Sequence, residues 1–277
     1  MQIFKCKDKL SHTLKEISES KTIGFVPTMG AIHDGHLKLI TSSNSECDIT
    51  VCSIFVNPTQ FNNNNDYKKY PITIDEDLKK LSKNNCTIVF IPTANNIYEN
   101  NIKSKRFDFG NISNVLEGKF RPGHFDGMAT IVEKLFDIVK PTKAYFGEKD
   151  IQQLQIVKLL ATKMKTNIKI VGVPTVRESN GLAKSSRNKL LSEKEKNQAK
   201  YIYKCLKYCK KNKNLSFSTL KKYTTKKLKT YNIKLEYLEI VNLEDMKFIK
   251  KLGPKNSNAI CIAAYLNNVR LIDNIIL

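Results

Sequence analysis

The chain has 277 residues, 41% of them hydrophobic, with 47 Lys and Arg against 26 Asp and Glu, so its formal charge is +21 at pH 7. That is enough apolar chain for a full α/β core with a smaller second domain beside it. No apolar run approaches the roughly 18 residues of a membrane span, and MQIFKCKDKL at the start lacks the apolar stretch of a secretory leader. Seven cysteines form no C-x-x-C pair, and Cys52, Cys86 and Cys261 fall in apolar runs, where a reduced thiol acts as a small hydrophobe. The expectation is a cytoplasmic, disulfide-free protein with no membrane association.

The charge suits anionic partners. Yet the lysines are spread between asparagines, and arginine, the usual base-reading fork, is scarce. The densest stretch, Lys194 to Lys234, breaks its lysines with Tyr, Leu and Thr in a helical rhythm. It reads as a solvated helix face, and no nucleic-acid partner is expected.

Residues 21–27 read as a strand ending at Pro27, and Gly35 to Glu46 as a helix with Leu37 and Ile40 inward. ITVCSIFV (49–56) is a nearly unbroken β-branched run, the pattern of a parallel strand covered on both faces. The asparagines at 62–65 mark an exposed loop. Then come a helix over 75–83, a strand over 86–92, an irregular stretch from Tyr98 to Phe120, and a helix from Met128 to Val139. A strand at 144–147, a helix over 151–165 and a strand at 168–174 follow. This alternation predicts right-handed crossovers and an open parallel sheet. After Asn180 the character changes, and the domain boundary is placed near residue 175. Ser192 with Glu195 reads as a capping box, a second helix is expected near 219–230, and strands at 235–241 and 259–266 precede a short extended piece at 270–272. Two domains are therefore expected, 1–175 and 176–277.

PTMGAIHDGH (27–36) places two of the four histidines, His33 and His36, at a strand-to-helix junction. Open α/β folds bind ligands at such places, and a helix N-terminus offers N–H groups to phosphate. The pair could instead hold zinc or simply pack, but no further histidine or cysteine stands at structural-zinc spacing. Neither common glycine-rich phosphate fingerprint is present, which argues against a P-loop enzyme or a typical NAD dehydrogenase. Lys149 and Asp150 in YFGEKDIQQ (145–153) occupy a second junction of the same kind, and GLAKSSRN (181–188) adds two hydroxyls and Arg187.

Taken together, PTMGAIHDGH, SIFVNPTQF (53–61), EGKFRPGHFDG (117–127), YFGEKDIQQ, VGVPTVRE (171–178), GLAKSSRN and RLIDN (270–274) resemble the pantoate–β-alanine ligases over nearly the whole chain. The resemblance implies a Rossmann-like N-terminal domain with a smaller C-terminal α/β domain closing over ATP, in a homodimer. It implies ATP-dependent joining of pantoate to β-alanine through a pantoyl-adenylate, releasing AMP and pyrophosphate, with Mg²⁺. By position, His33, His36, Lys149 and Arg187 would be catalytic. Met29, Gly147, Asp150, Val176, Lys184, Ser185 and Ser186 would join Lys149 and Arg187 around ATP. Gln60 and Gln153 would hold pantoate, Asn57 and Gln60 would serve β-alanine, and Glu76 would help hold Mg²⁺. The sequence departs from the family pattern at Ile72, Asn180 and Lys184, where arginine, aspartate and an apolar residue are usual.

Three other readings stay open at this level. Another nucleotidyltransferase would share H-x-G-H but need a different cationic cradle. A class I tRNA synthetase would be expected to carry a K-M-S-K-S-like loop and an anticodon-binding region. A nucleic-acid-binding module would rest on the net charge alone.

Overall fold

The computed structural model describes residues 1–61, 67–68, 70–99, 101–249, 254 and 256–277. The loop expected at 62–65 lies outside the described residues. The chain divides into two compact units: Met1–Glu148 with Gln153–Pro174, and Lys149–Gln152 with Thr175–Leu277.

The first unit is built on six parallel strands, β1 (Gln2–Phe4), β2 (Ile23–Thr28), β3 (Ile49–Ile54), β4 (Ile88–Phe90), β5 (Lys143–Gly147) and β6 (Lys169–Val173). Their order across the sheet is β1-β4-β3-β2-β5-β6. Its helices are α1 (Lys7–Ser18), α2 (Asp34–Glu46), α3 (Ile74–Lys83), α4 (Ala94–Tyr98), α5 (Glu117–Phe120), α6 (His124–Val139) and, from Gln153 onward, α7 (Ile151–Lys163). All six residues of β3 are buried and five of six in β2, as the unbroken apolar runs require of central strands covered on both faces. Val26, Cys52 and Val89 from three adjacent strands meet Ile40 of α2 and Leu81 of α3 in one core cluster. The helix α2 lies so close to β2 that a Cβ on Gly24 would stand 2.0 Å from Ser43 Oγ. The chain winds outward from β2 through β3 to β4, and β5 then adds on the other side of β2. The gap between β2 and β5 is therefore the topological switch point, where open sheets of this kind take their ligands.

Several local expectations need correction. The inward face of α2 adds Leu39 and Ser43 to Ile40, and Leu37 packs half-buried against the same core cluster. The helix expected from Met128 begins at His124, because the chain enters it through a left-handed Gly123 (φ 78°). The stretch read as irregular begins where α4 ends, at Tyr98, and contains a 3₁₀ turn at Gly110–Asn114 and α5. β1 and α1 were not anticipated. Among the described residues no helix is long and apolar enough to cross a membrane.

The second unit carries α8 (Glu193–Lys211) and α9 (Phe217–Lys229) with the antiparallel strands β7 (Ile233–Asn242), β8 (Asn258–Leu266) and β9 (Val269–Ile276) in the order β7-β8-β9. The expected capping box is present: Ser192 Oγ accepts from the Glu195 N–H, and the Glu195 carboxylate accepts from the Ser192 N–H at 2.7 Å. One stripe of α8, Ile202, Cys205, Leu206 and Cys209, packs with Ile260, Ile262 and Ala264 of β8. Lys204, Lys207 and Lys210 stay exposed, which is the solvated face the lysine rhythm implied. The piece expected at 270–272 is a full eight-residue strand. The fold is thus a Rossmann-like open parallel sheet with a smaller α/β unit after it. All seven cysteines are free thiols. Burial pushes the Cys86 and Cys205 thiols up to about 12, so they stay protonated fillers.

Candidate active site

In the first unit, β2 ends at Thr28, whose hydroxyl donates to Ser53 O of β3 at 2.7 Å and accepts from the Gly30 N–H at 3.1 Å. The backbone then turns through two left-handed residues, Gly30 (φ 80°) and Ala31 (φ 49°), before His33 caps α2. His33 Nδ1 accepts from the Gly35 N–H at 3.1 Å, so in the neutral ring the proton sits on Nε2 and makes that edge a donor. The His36 ring stacks on it with centroids 4.0 Å apart. Sequence reasoning placed both histidines at this strand-to-helix junction, and the structure finds them side by side there.

The end of β3 builds a second group. Asn57 is buried, and its amide donates to Gly127 O of α6 at 3.0 Å and to Thr59 Oγ1 at 3.1 Å. Tyr98 OH donates to Asn57 Oδ1 at 2.6 Å. Gln60 is also buried, and its amide reaches Met29 Sδ at 2.6 Å, which joins the β3 group to the histidine turn. Arg121 NH1 lies 3.1 Å from His124 Nε2, and His124 Nδ1 lies 2.8 Å from Gln60 O. A guanidinium can only donate, so Nε2 accepts, and the ring's proton on Nδ1 is donated to the Gln60 carbonyl. Tyr98, Arg121 and His124 received no role from the sequence. The contacts of Tyr98 with Asn57 and of His124 with Gln60 join positions 41 and 64 residues apart, and no local pattern announces them.

Gly127 is where α6 meets this group. A Cβ there would stand 2.1 Å from Thr59 O and 2.7 Å from Gln60 Cα, both backbone atoms. Gly127→Ala is therefore expected to push the 58–60 turn away from α6 and destabilise the protein by ~1–3 kcal/mol, the usual cost of overpacking. A urea unfolding midpoint unchanged from the parent would contradict that contact.

Gly147 closes β5 opposite Val173 of β6, Gln153 is half-buried in the first turn of α7, and Glu76 is exposed in the first turn of α3. Among the described residues no three His, Cys, Asp or Glu side chains gather as a metal cage. Mg²⁺ keeps several waters and combines one or two carboxylates with substrate phosphates. Glu76 is one of two exposed carboxylates in the first turn of α3, beside Asp75.

In the second unit, the Val176 carbonyl accepts from the Lys184 N–H at 2.9 Å, and a bridge pairs Arg177 with Ala183. Lys184 also forms an ion pair with Glu178 at 2.8 Å, so the departure at this position is locally balanced. Ser185 Oγ accepts from the Arg187 N–H at 3.3 Å, which caps the 3₁₀ turn carrying Ser186 and Arg187. Lys149 Nζ sits 3.4 Å from Asp150 Oδ1, and Asn274 of β9 donates to Lys149 O at 2.9 Å. Arg177 grips Asp273 of the same strand with both terminal nitrogens, at 2.7 and 2.9 Å. Met29, His33, His36, Asn57 and Gln60 thus gather at the ends of β2 and β3, and Lys149 is held to β9, while Glu76, Gly147 and Gln153 stand on α3, β5 and α7.

The family model for pantoate–β-alanine ligase matches residues 2–276. The chain belongs to that family. A pantothenate synthetase of Flavobacterium psychrophilum is 47% identical to it over 279 residues, covering 99% of each chain. The crystal structure of the pantothenate synthetase of Thermus thermophilus superposes with a TM-score of 0.92 at 33% identity, again over 99% of each chain. A pantoate–β-alanine ligase from Francisella tularensis, complexed with beta-gamma ATP and β-alanine, superposes with a TM-score of 0.86 at 39% identity, covering 100% of this chain and 97% of that one. The pantoate–β-alanine ligases are enzymes that form a carbon–nitrogen bond, and this chain carries the family's fold from end to end.

Proposed function

We propose that the protein condenses pantoate with β-alanine at the expense of ATP, through a pantoyl-adenylate, releasing pyrophosphate and AMP. The observation that carries this reading is the paired histidines at the N-terminus of α2, beside the switch point of a sheet that superposes on a ligase complexed with beta-gamma ATP and β-alanine. In the first step the pantoate carboxylate attacks the α-phosphorus, forming a P–O bond as the bond to the β-phosphate oxygen breaks. Negative charge grows on the phosphoryl oxygens, so donors already oriented there lower the barrier. The His33 Nε2–H edge and His36 supply such donors at the positive end of α2, and Lys149, Ser185, Ser186 and Arg187 are assigned to the triphosphate. Met29, Gly147, Asp150, Val176 and Lys184 line the nucleotide in this reading. Mg²⁺, held by Glu76 and phosphate oxygens, would supply charge neutralisation when bound.

In the second step the β-alanine amine attacks the acyl carbon. A C–N bond forms, the C–O bond to AMP breaks, and the amine gives up its proton. Gln60 and Gln153 suit pantoate because an amide both donates and accepts without adding a competing nucleophile or charge. Asn57 with Gln60 serves β-alanine. The division into a pantoate- and nucleotide-binding domain, 1–175, and a domain closing over ATP, 176–277, belongs to the same proposal, as do a cytoplasmic location and a homodimer. Sedimentation should show a dimer at micromolar concentration.

The test of function is direct. Supplied with ATP, Mg²⁺, pantoate and β-alanine, the protein should yield equal amounts of pantothenate and AMP by mass spectrometry. Without β-alanine it should release pyrophosphate and retain pantoyl-adenylate; formation of ADP and an acyl phosphate would overturn the mechanism. Gln153→Ala should raise the pantoate concentration needed for adenylate formation and leave ATP binding near that of the parent. Lost ATP binding with an unchanged pantoate dependence would reverse the assignment of that side chain.

A further inference from the structure

The turn that carries the histidines is in a conformation it would not choose by itself. Gly30 and Ala31 are both left-handed, and for alanine that conformation is strained. What holds the turn comes from α3, more than forty residues later in the chain. Asp77 is fully buried, and its two carboxylate oxygens accept from consecutive backbone N–H groups, Oδ2 from Ala31 at 2.8 Å and Oδ1 from Ile32 at 2.7 Å. Successive N–H groups turned the same way form a concave anion site, and here the anion is part of the protein. Thr73, at the start of α3, donates to Asp77 Oδ1 at 3.1 Å and fixes the carboxylate's angle. One helical turn further on, Lys80 Nζ donates to Ile32 O at 2.8 Å. The helix thus holds the residue before His33 at both its N–H and its carbonyl.

We propose that α3 is a clamp on the histidine turn, with Asp77 and Lys80 as positioning residues for His33 and His36. The proposal rests on the phosphate-contacting role given to those histidines above. It also separates two neighbouring acids: Asp77 is committed to the backbone, and Glu76 alone of the two is left facing outward. Donors misplaced by a fraction of an ångström stabilise charge poorly in the transition state yet still bind nucleotide. The clamp therefore acts on kcat rather than on affinity.

Asp77→Asn keeps the shape but turns one oxygen into an N–H₂ group facing an N–H donor. It should speed hydrogen exchange at the Ala31 and Ile32 amides while core amides of β3 exchange as before. It should also lower kcat for adenylate formation by ~10²-fold, with the KM values for ATP and pantoate within about twofold of the parent. A merely structural role would lower the melting temperature and leave the rate per folded molecule unchanged. Lys80→Met removes the other half of the clamp from a partly exposed position and should cut kcat in the same direction by about tenfold. It carries the test if Asp77→Asn fails to fold. Parent-like exchange at 31 and 32, or faster exchange with a parent-like kcat, overturns the clamp. A parent protein that makes no pantothenate would instead overturn the proposed function, and the exchange measurement would still decide whether α3 holds the turn.

Discussion

Replacing His36 or Lys149 by alanine is expected to slow pantoyl-adenylate formation by ~10²–10³-fold, the cost of losing one oriented donor to a transition state. His36 follows the cap of α2 and stacks on His33, so its loss removes a donor and the support of its neighbour. Lys149 precedes α7 and is tied down through its backbone carbonyl, which accepts from Asn274. That bond survives truncation of the side chain, so Lys149→Ala should fold normally. Rapid-quench measurement at saturating ATP and pantoate is the decisive readout, with circular dichroism confirming the fold. Parent-like rates for His36→Ala would remove the physical basis of the adenylate reading.

The largest stability effect is expected at Arg177. Its guanidinium holds Asp273 with two bonds, donates to Gly181 O at 3.2 Å, and stacks 3.5 Å from the centroid of the Tyr203 ring. Burial pushes the Asp273 carboxyl up from the usual aspartate range, and Arg177 pulls against that rise. Arg177→Met leaves a buried carboxyl without its partner, at a cost of ~3–5 kcal/mol. The strongest pull against the rise in Asp273 is then gone, leaving only the Asn274 N–H at 2.8 Å and the charge of Lys149 to oppose it. A carboxyl that holds its proton more tightly folded than unfolded favours the fold at low pH and weakens it as pH climbs through its folded value. The deficit should therefore shrink as the pH falls toward about 4, the ordinary aspartate value. Urea unfolding across pH would show this, and a deficit that stayed constant would refute the assignment. Arg177→Met combined with Asp273→Leu should recover much of the loss, since an apolar pair needs no partner charge.

Asp273 and Asn274 also show why part of the fold was hidden. Two adjacent polar residues interrupt the run from Val269 to Ile276, so the apolar pattern ended at Ile272. The strand continues because those polar groups have internal partners in Arg177 and Lys149. The central strands were legible because a segment covered on both faces must be apolar throughout. α1 was not, because only Leu10 and Leu14 are buried among charged neighbours, and β1 is three residues long. At the site, His33 and His36 were visible through their junction with the helix, and Lys149 through its strand end. Asp77 stood out only as an acid beside Glu76, with no sign of its hold on the turn. Its partners are backbone N–H groups, which no residue type reveals, and Tyr98 and His124 likewise act through contacts far along the chain.

The strand order sets the sequence in which a growing chain can assemble this sheet. β2 and β3 lie close in sequence and pair from Ile23↔Ile49 to Thr28↔Ile54, so they can join early during synthesis. β1 must wait for β4, with Gln2 opposite Ile88, and β5 must travel back to the far edge of β2, with Phe25 opposite Ala144. Until β5 arrives, that edge of β2 presents unpaired backbone beside apolar side chains, a template for pairing with another chain. The switch point is thus the seam that waits longest to close. A nascent chain stalled before residue 143 would expose there the edge most prone to misassociation.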